Sequence, residues 1–347
     1  MSPGPIGVRD DVPLNRPPPA APPSGAPRLS AVIPLFNRLP LTRRCLETLQ
    51  ATLPADLGHE ILFVDDGSTD GTRAWLETLA APVRVVLNER NRGFAAACNR
   101  GAAAARGDFL ALLNSDLELQ PGWLEPMLAG FTLLPRAACL GNVQLNHATG
   151  VIDHAGIVIG ADGKPAHRRT LPAADPATPD YAAMVAVTGA CALLPRTLFT
   201  GLGGFDEGFT NGGEDVDFCF RARAAGHTVW TALKSTVRHH VSASPGRKLH
   251  DEENSYRLFR KWRRELETAA WRAWCETYLA DARGGVLPRH PPAERAAEEF
   301  LTGRRARPGR WAESNVAQNL LTEEARWERL FPTAPNPLAA AAPSATS

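Results

Sequence analysis

No Cys-x-x-Cys pair joins the six cysteines of this 347-residue chain: Cys45, Cys98, Cys139, Cys191, Cys219 and Cys275 are scattered singly. Such spacing suits neither a zinc site nor a disulfide framework, so reduced, buried thiols in a cytoplasmic protein are the expectation. Net charge is almost absent. The 38 Lys and Arg oppose 37 Asp and Glu and leave +1, which offers no electrostatic footprint for nucleic acid or an anionic membrane. Long apolar runs are missing too. The longest, Ala182 to Pro195, is broken by Thr188 and Gly189 and is shorter than the roughly 20 residues a bilayer span needs. The first residues lack the basic segment and apolar run of a signal peptide, so a soluble protein is expected.

What is present is ordinary for a globular chain: 44% hydrophobic and 22% charged residues, in a length that suits about two domains or one large decorated one. A chain of this size buries enough surface to need no metal or disulfide for stability. Residues 1–27 hold nine of the 30 prolines and few large apolar side chains, which predicts a disordered leader; 336–347 reads as a similar Ala/Pro/Ser tail.

Between these ends the first half alternates strand and helix patterns. Strands are predicted at 29–35, 60–65, 83–87 and 108–113, with helices at 40–53, 71–79 and 94–105. That rhythm argues for a parallel sheet covered by helices on both faces. Ligands on such sheets bind at the carboxyl ends of the strands, which here carry Asn37, Asp65-Asp66 and Asn114-Ser115-Asp116 on one rim. A second, less regular sheet is expected between Gly141 and Pro195, and a helical region after Lys248. Pro34-Leu-Phe-Asn-Arg38 follows the first strand where a dinucleotide oxidoreductase would carry a glycine-rich loop, which argues against that class.

Three clusters could carry chemistry. In Phe63-Val-Asp-Asp-Gly-Ser-Thr-Asp-Gly71, helix capping accounts for Ser68, Thr69 and Asp70. It leaves Asp65 and Asp66 as adjacent carboxylates that repel unless a partner, such as a base or ribose hydroxyl, uses them. Asp116 ends another strand on the same rim and could hold a hard divalent cation together with phosphate oxygens. In Asn211-Gly-Gly-Glu-Asp-Val-Asp217, helix-start electrostatics and pairing with Arg221 explain Asp217, whereas Glu214 and Asp215 exceed what a cap needs and are candidates for acid/base work. His239-His240 is either structural or a ligand pair.

The motifs Ala31-Val-Ile-Pro-Leu-Phe-Asn37, Val64-Asp-Asp-Gly-Ser-Thr-Asp70, Asn91-Arg-Gly-Phe-Ala-Ala-Ala-Cys-Asn99, Asn114-Ser-Asp116 and Gly213-Glu-Asp-Val-Asp-Phe218 occur in that order. Together they resemble an inverting family-2 glycosyltransferase of the GT-A fold, in the rhamnosyltransferase-like branch, over about 29–262. The resemblance implies an α/β, Rossmann-like, mostly parallel sheet with a smaller mixed sheet, a GT-A domain at 28–246 and a helical region at 247–335. It implies that Asp65, with Asp66 beside it, binds the nucleotide base, and that Asn91, Gly93 and Asn99 shape the nucleotide pocket. The metal motif falls on Asn114 to Asp116, with Asn replacing its first acid, and Asp116 is joined as metal ligand by His239, some two dozen residues past Asp215. Asp215 falls on the general base, with Glu214 beside it.

The implied activity is transfer of a sugar from a UDP- or dTDP-linked donor to a hydroxyl of a glycan or lipid-linked acceptor in cell-surface polysaccharide synthesis, with Mg2+ or Mn2+ as cofactor. The alternative is a catalytically silent GT-A domain that binds nucleotide or glycan as a scaffold. The basic, aromatic stretch Tyr256 to Arg264 reads either as a salt-bridged helix face or as a contact with the inner face of the membrane.

Overall fold

The computed structural model describes residues 28–240 and 250–332. The Pro-rich leader and the Ala/Pro/Ser tail lie outside the described residues. The first half follows the predicted rhythm: β1 (Leu29–Leu35), α1 (Leu39–Thr52), β2 (His59–Asp65), α2 (Thr72–Leu76), β3 (Val83–Leu87), α3 (Phe94–Ala104) and β4 (Phe109–Leu113). These strands pair in parallel in the order β3-β2-β1-β4. All seven residues of β1 are buried, as a central strand covered on both faces requires. Helix α2 is shorter than the predicted 71–79. Its last turn tightens into i to i+3 bonds, Thr78 N donating to Trp75 O and Leu79 N to Leu76 O.

The chain continues through β5 (Leu117–Leu119), α4 (Glu125–Leu133), β6 (Ala137–Asn146), β7 (Ile152–His154), β8 (Ile157–Ile159), β9 (Pro165–His167), β10 (Tyr181–Ala183), β11 (Cys191–Pro195), α5 (Arg196–Gly201), α6 (Glu214–Ala224) and β12 (Thr228–His239). The predicted second sheet is smaller than its sequence span. Only β8 and β9 stand apart as a two-stranded sheet. Strands β6, β10 and β11 instead extend the main sheet, whose order is β10-β12-β6-β11-β4-β1-β2-β3 with β5 on β12 and β7 on β6. Strand β11 runs antiparallel to both β4 and β6, so it stitches the parallel half to a mixed half.

Alternate side chains of β1 feed two cores. Val32 packs with α3, α6 and the later helices, whereas Ala31 and Ile33 pack with α1 and α4. Helix α3 touches the sheet through Gly101. A Cβ there would lie 2.3 Å from Val32 Cγ1 and 3.0 Å from Val64 Cγ2.

Helices α7 (Asp251–Arg283), α8 (Pro291–Leu301) and α9 (Arg310–Leu330) follow, with α7 bent at Trp262, whose φ of −130° leaves the helical region. Trp327 of α9 is fully buried against Phe259 and Tyr256 of α7. No helix among the described residues is long and apolar enough to cross a membrane. The basic stretch of α7 is not a free cationic face. Arg257 and Lys261 both bind Asp206, Lys261 also reaches Asp217 at 2.6 Å, and Arg263 pairs with Glu324. Arg257, Lys261 and Arg263 thus carry the ion pairs expected of a salt-bridged helix face.

Two outcomes follow from this packing. Replacing a mid-helix glycine by alanine ordinarily gains about 1 kcal/mol. Overpacking against Val32 should cost about 1–3 kcal/mol and reverse the sign, so Gly101→Ala should lower the urea midpoint; a higher midpoint would show that the sheet yields.

Asp206 gives the second outcome. Burial raises its pKa, but the Gly208 amide, Lys261 and Arg257 more than offset that and bring the carboxyl down to about 2. A lowered folded-state pKa means stability that is present above about pH 4 and lost as pH falls toward 2. The stability gap between wild type and Asp206→Asn in urea should therefore shrink from about 2 kcal/mol at pH 7 to near zero at pH 2.

Candidate active site

A cleft of about 1150 Å³ opens over the carboxyl ends of β1, β2 and β4, ample for a ligand of nucleotide size. Parallel pairing sets Leu35 of β1 level with Asp65 of β2, so the loops that follow them emerge side by side. Ser68 Oγ accepts from Asn37 N at 2.7 Å, and Asn37 Oδ1 accepts from Thr69 N at 2.7 Å. Asp70 accepts from Thr72 N and, more weakly, from Leu39 N. The capping reading is corrected: Gly71 sits at the N-cap of α2 with no side-chain cap bond, Asp70 alone reaches a first-turn amide, and Ser68 and Thr69 instead lace two loops together through Asn37. Gly67, at φ +84°, must be glycine because a Cβ would lie 2.8 Å from the Arg90 backbone.

The adjacent acids have protein partners. Asp65 is fully buried; Oδ1 accepts from Ser68 N at 3.0 Å and Oδ2 from Arg73 Nε at 2.8 Å. It does not line the cleft, and both of its oxygens are engaged by the protein. The guanidinium of Arg73, eight residues on, supplies the charge that the sequence reading sought in a ligand. Asp66 does line the cleft, and its oxygens accept from Asn88 Nδ2 and from the amides of Arg92 and Gly93 at 2.7–3.0 Å. That grip fixes the Asn91–Gly93 loop, where Asn91 Oδ1 also accepts from Gly93 N.

Asn91 and Gly93 reach the cleft wall as expected, but Asn99 does not. Its amide exchanges hydrogen bonds with the Phe205 backbone, 2.8 Å to N and 2.9 Å to O, and clips the loop before α6. Asn99 supports the pocket from behind.

Asn114, Ser115 and Asp116 all line the cleft. Asn114 N donates to Ala190 O and so ties the end of β4 to the loop before β11. Strand β5 pairs antiparallel with β12, Leu117 opposite His239, which carries Asp116 to the histidine. His239 Nε2 and Asp116 Oδ1 lie 3.2 Å apart, and neither atom makes a hydrogen bond. Two such ligand atoms, close together and without a hydrogen bond, suit a cation site. His240 does not share this position; it faces Glu118 instead.

Helix α6 presents the remaining acids. Gly213 precedes it at φ +91°, with no side chain capping the helix. Asp215 accepts from Gly189 N through Oδ2 (2.9 Å) and from Val216 N through Oδ1 (2.8 Å), and it lines the cleft. Glu214 is buried, accepts from Gly212 N at 2.8 Å and braces the Asn211–Gly213 turn. Asp217 is fully buried and binds Arg221 Nε, Trp262 Nε1 and Lys261, consistent with its structural reading. The six cysteines are buried and unpaired. Burial, with Glu214, Asp215 and Asp66 adding to it, pushes the Cys98 thiol well up, so the thiol nearest these acids is no nucleophile.

Two walls carried no motif. The β8–β9 hairpin contributes Lys164 and His167, and the first turns of α7 contribute Asp251, Glu252 and Asn254. Counted together, the cleft holds seven carboxylates against Arg38, Lys164 and Arg169.

Residues 30–199 match the family model described as "Glycosyl transferase family 2". The chain therefore carries a family-2 glycosyltransferase domain. It is 34% identical over 267 residues to the uncharacterized protein y4gI of Sinorhizobium fredii, covering 71% of this chain and 27% of that protein. It is 32% identical over 275 residues to the O-antigen biosynthesis protein RfbC of Myxococcus xanthus, covering 75% of this chain and 20% of that one. The chain thus spans only about a quarter or less of these relatives. Its backbone resembles a crystal structure of GalNAc-T7 holding UDP, GalNAc and Mn2+, with a TM-score of 0.59 at 17% identity over 91% of this chain and 59% of that one, a likeness of fold.

The role of Asp65 is testable. Removing it strands a buried amide and a guanidinium, so Asp65→Ala should cost about 3 kcal/mol in urea unfolding. The folded fraction should lose less nucleoside diphosphate affinity than that in calorimetry. Intact stability with lost affinity would return Asp65 to the binding site.

Proposed function

We propose that the chain is an inverting glycosyltransferase that moves a sugar from a UDP- or dTDP-linked donor to a hydroxyl of a glycan or lipid-linked acceptor. The observation that carries this reading is the presence, in one cleft, of an anchored carboxylate, Asp215, and of Asp116, which the buried His239 backs at 3.2 Å from behind the cleft wall. Asp66 and the Asn91–Gly93 loop supply the nucleotide side of the cleft, and Asp65, Asn99 and Asn114 hold its frame. The name of the Myxococcus relative favours a role in cell-surface polysaccharide synthesis.

In the reaction the acceptor oxygen attacks the anomeric carbon while the bond from that carbon to the diphosphate oxygen breaks. Asp215 takes the acceptor proton, and the nucleoside diphosphate leaves with the bonding electrons. Gly189 N–H and the Val216 amide at the start of α6 orient the Asp215 carboxylate. Glu214 holds the turn that sets its position. No covalent intermediate is required, in keeping with the buried thiols.

The Asp116–His239 donor set fits a divalent cation, Mg2+ or Mn2+, with diphosphate oxygens completing its shell. When bound, that cation would neutralise the leaving diphosphate, a need sharpened by a wall with seven acids and three fixed cations. The β8–β9 hairpin and the start of α7 face the remaining space, which we assign to the acceptor. The helical region is on this reading a working wall of the site, and the boundary near residue 247 separates sequence styles more than functions.

Turnover of UDP- and dTDP-sugars with Mn2+ tests the proposal. Asp215→Asn should bind UDP as wild type does and lose about 10²- to 10⁴-fold in turnover. Asp116→Ala should abolish the metal dependence of UDP binding. Turnover of Asp215→Asn within a few-fold of wild type would leave the acids as helix-start residues, and no turnover by the wild type on any donor would favour a silent scaffold.

A further inference from the structure

Glu118, His147 and His240 form a second cluster of ligand atoms, all within 4.8 Å of one another. None of the three lines the cleft, whose wall stops at Asp116. Glu118 Oε1 lies 3.2 Å from His240 Nε2 and 3.3 Å from His147 Nδ1. His147 Nδ1 is shielded from solvent and makes no hydrogen bond. Tetrahedral zinc with bonds of about 2.0–2.1 Å places neighbouring ligands about 3.4 Å apart, so two of the three edges already have that length. The nitrogen-rich donor set suits zinc and disfavours magnesium, which takes oxygen.

The backbone holds these ligands in place. His147 N donates to His239 O and His240 N to Asp116 O, so β6, β12 and β5 each deliver one ligand from a paired strand end. Arg44 Nη2 sits 3.4 Å from Glu118 Oε2 and leaves Oε1 to the imidazoles, the kind of outer support that orients a ligating carboxylate. The two rings stack with centroids 3.8 Å apart and 21° between planes, so one ion lies in both ring planes only once the stack opens. Closing the third edge takes a turn of the His147 ring about its Cβ–Cγ bond, and its side chain is 38% exposed and has room.

We propose that Glu118, His147 and His240 bind one Zn2+, with water as fourth ligand, at a site separate from the cleft. Zinc there replaces the proton between Glu118 and His240 and pins β5 to β12 where Asp116 and His239 leave those strands. The proposal stands whether or not the chain transfers sugar.

The test uses the full chain, stripped with chelator, dialysed and titrated with Zn2+ against a chromophoric competitor. Asp116→Asn removes the cleft carboxylate and should still bind one equivalent. His147→Ala and His147→Gln in that background should weaken binding by 100-fold or more, and Zn2+ should raise the melting temperature of Asp116→Asn but of neither double variant. Melting in chelator shows that each variant folds. Zinc affinity unchanged by both His147 substitutions, loss of zinc on Asp116→Asn alone, or no zinc bound by wild type would each overturn the site.

Discussion

The cleft depends on one constraint: negative charge placed at strand ends must be neutralised by groups that do not fill the cleft. Asp65 meets it with Arg73 from behind and Asp66 with the amides of Arg92 and Gly93; within α6, Asp217 is likewise paired with Arg221 and Lys261. A buried carboxylate left unpaired would cost several kcal/mol. Each neutralising contact also joins two segments, so the same electrostatics that make the acids tolerable fix the loops. Asp116 is the exception. Its Oδ1 has a histidine at 3.2 Å and no hydrogen bond, so its charge is the one the fold leaves open to a cation.

That contrast explains how the site could be read from sequence, and where the reading stopped. β1, β2 and β4 are continuous apolar runs ended by polar residues, and parallel pairing puts all those ends on one rim. Local pattern and one topological rule therefore located Asn37, Asp66, Asn114 and Asp116. Asp65 differs from Asp66 only in which side of the strand end it faces. Adjacent strand residues point opposite ways, so one of the two had to turn from the cleft. The Arg73 that receives Asp65 sits in the first turn of α2, eight residues on.

The contacts that escaped the sequence are those that join distant segments. β6 and β11 read as part of a separate sheet because nothing in their composition says which strand they pair with. Their register is set by packing: Gly141 lies so close to Val187 that a Cβ would come within 2.7 Å of it. His147 lies 91 residues before Arg238 yet carbonyl and guanidinium approach each other. Pairing of β5 with β12 brings Glu118 to His240. The contact of Asn99 escapes the sequence for a related reason. Its motif is local, but its partner Phe205 lies 106 residues on.

The helices beyond residue 250 belong to the same electrostatic scheme. Lys261 binds Asp206 of the loop before α6 and Asp217 within α6, and Trp262 donates to Asp217 where α7 bends. Lys164 of the β8–β9 turn lies 2.8 Å from Glu323 of α9 and over the ring of Trp327. Gly163 beside it leaves no room for a Cβ against Leu320. The hairpin and α6 are thus held from outside the sheet by the same helical layer. A change in α7 or α9 reaches the cleft through rigid contacts of two kinds: one at the helix bearing Asp215, the other at the wall facing it. The Asp66 side of the cleft needs neither, since Asp66 and its amides close on themselves. That half is thereby fixed by the sheet, and the opposite half by the helical layer.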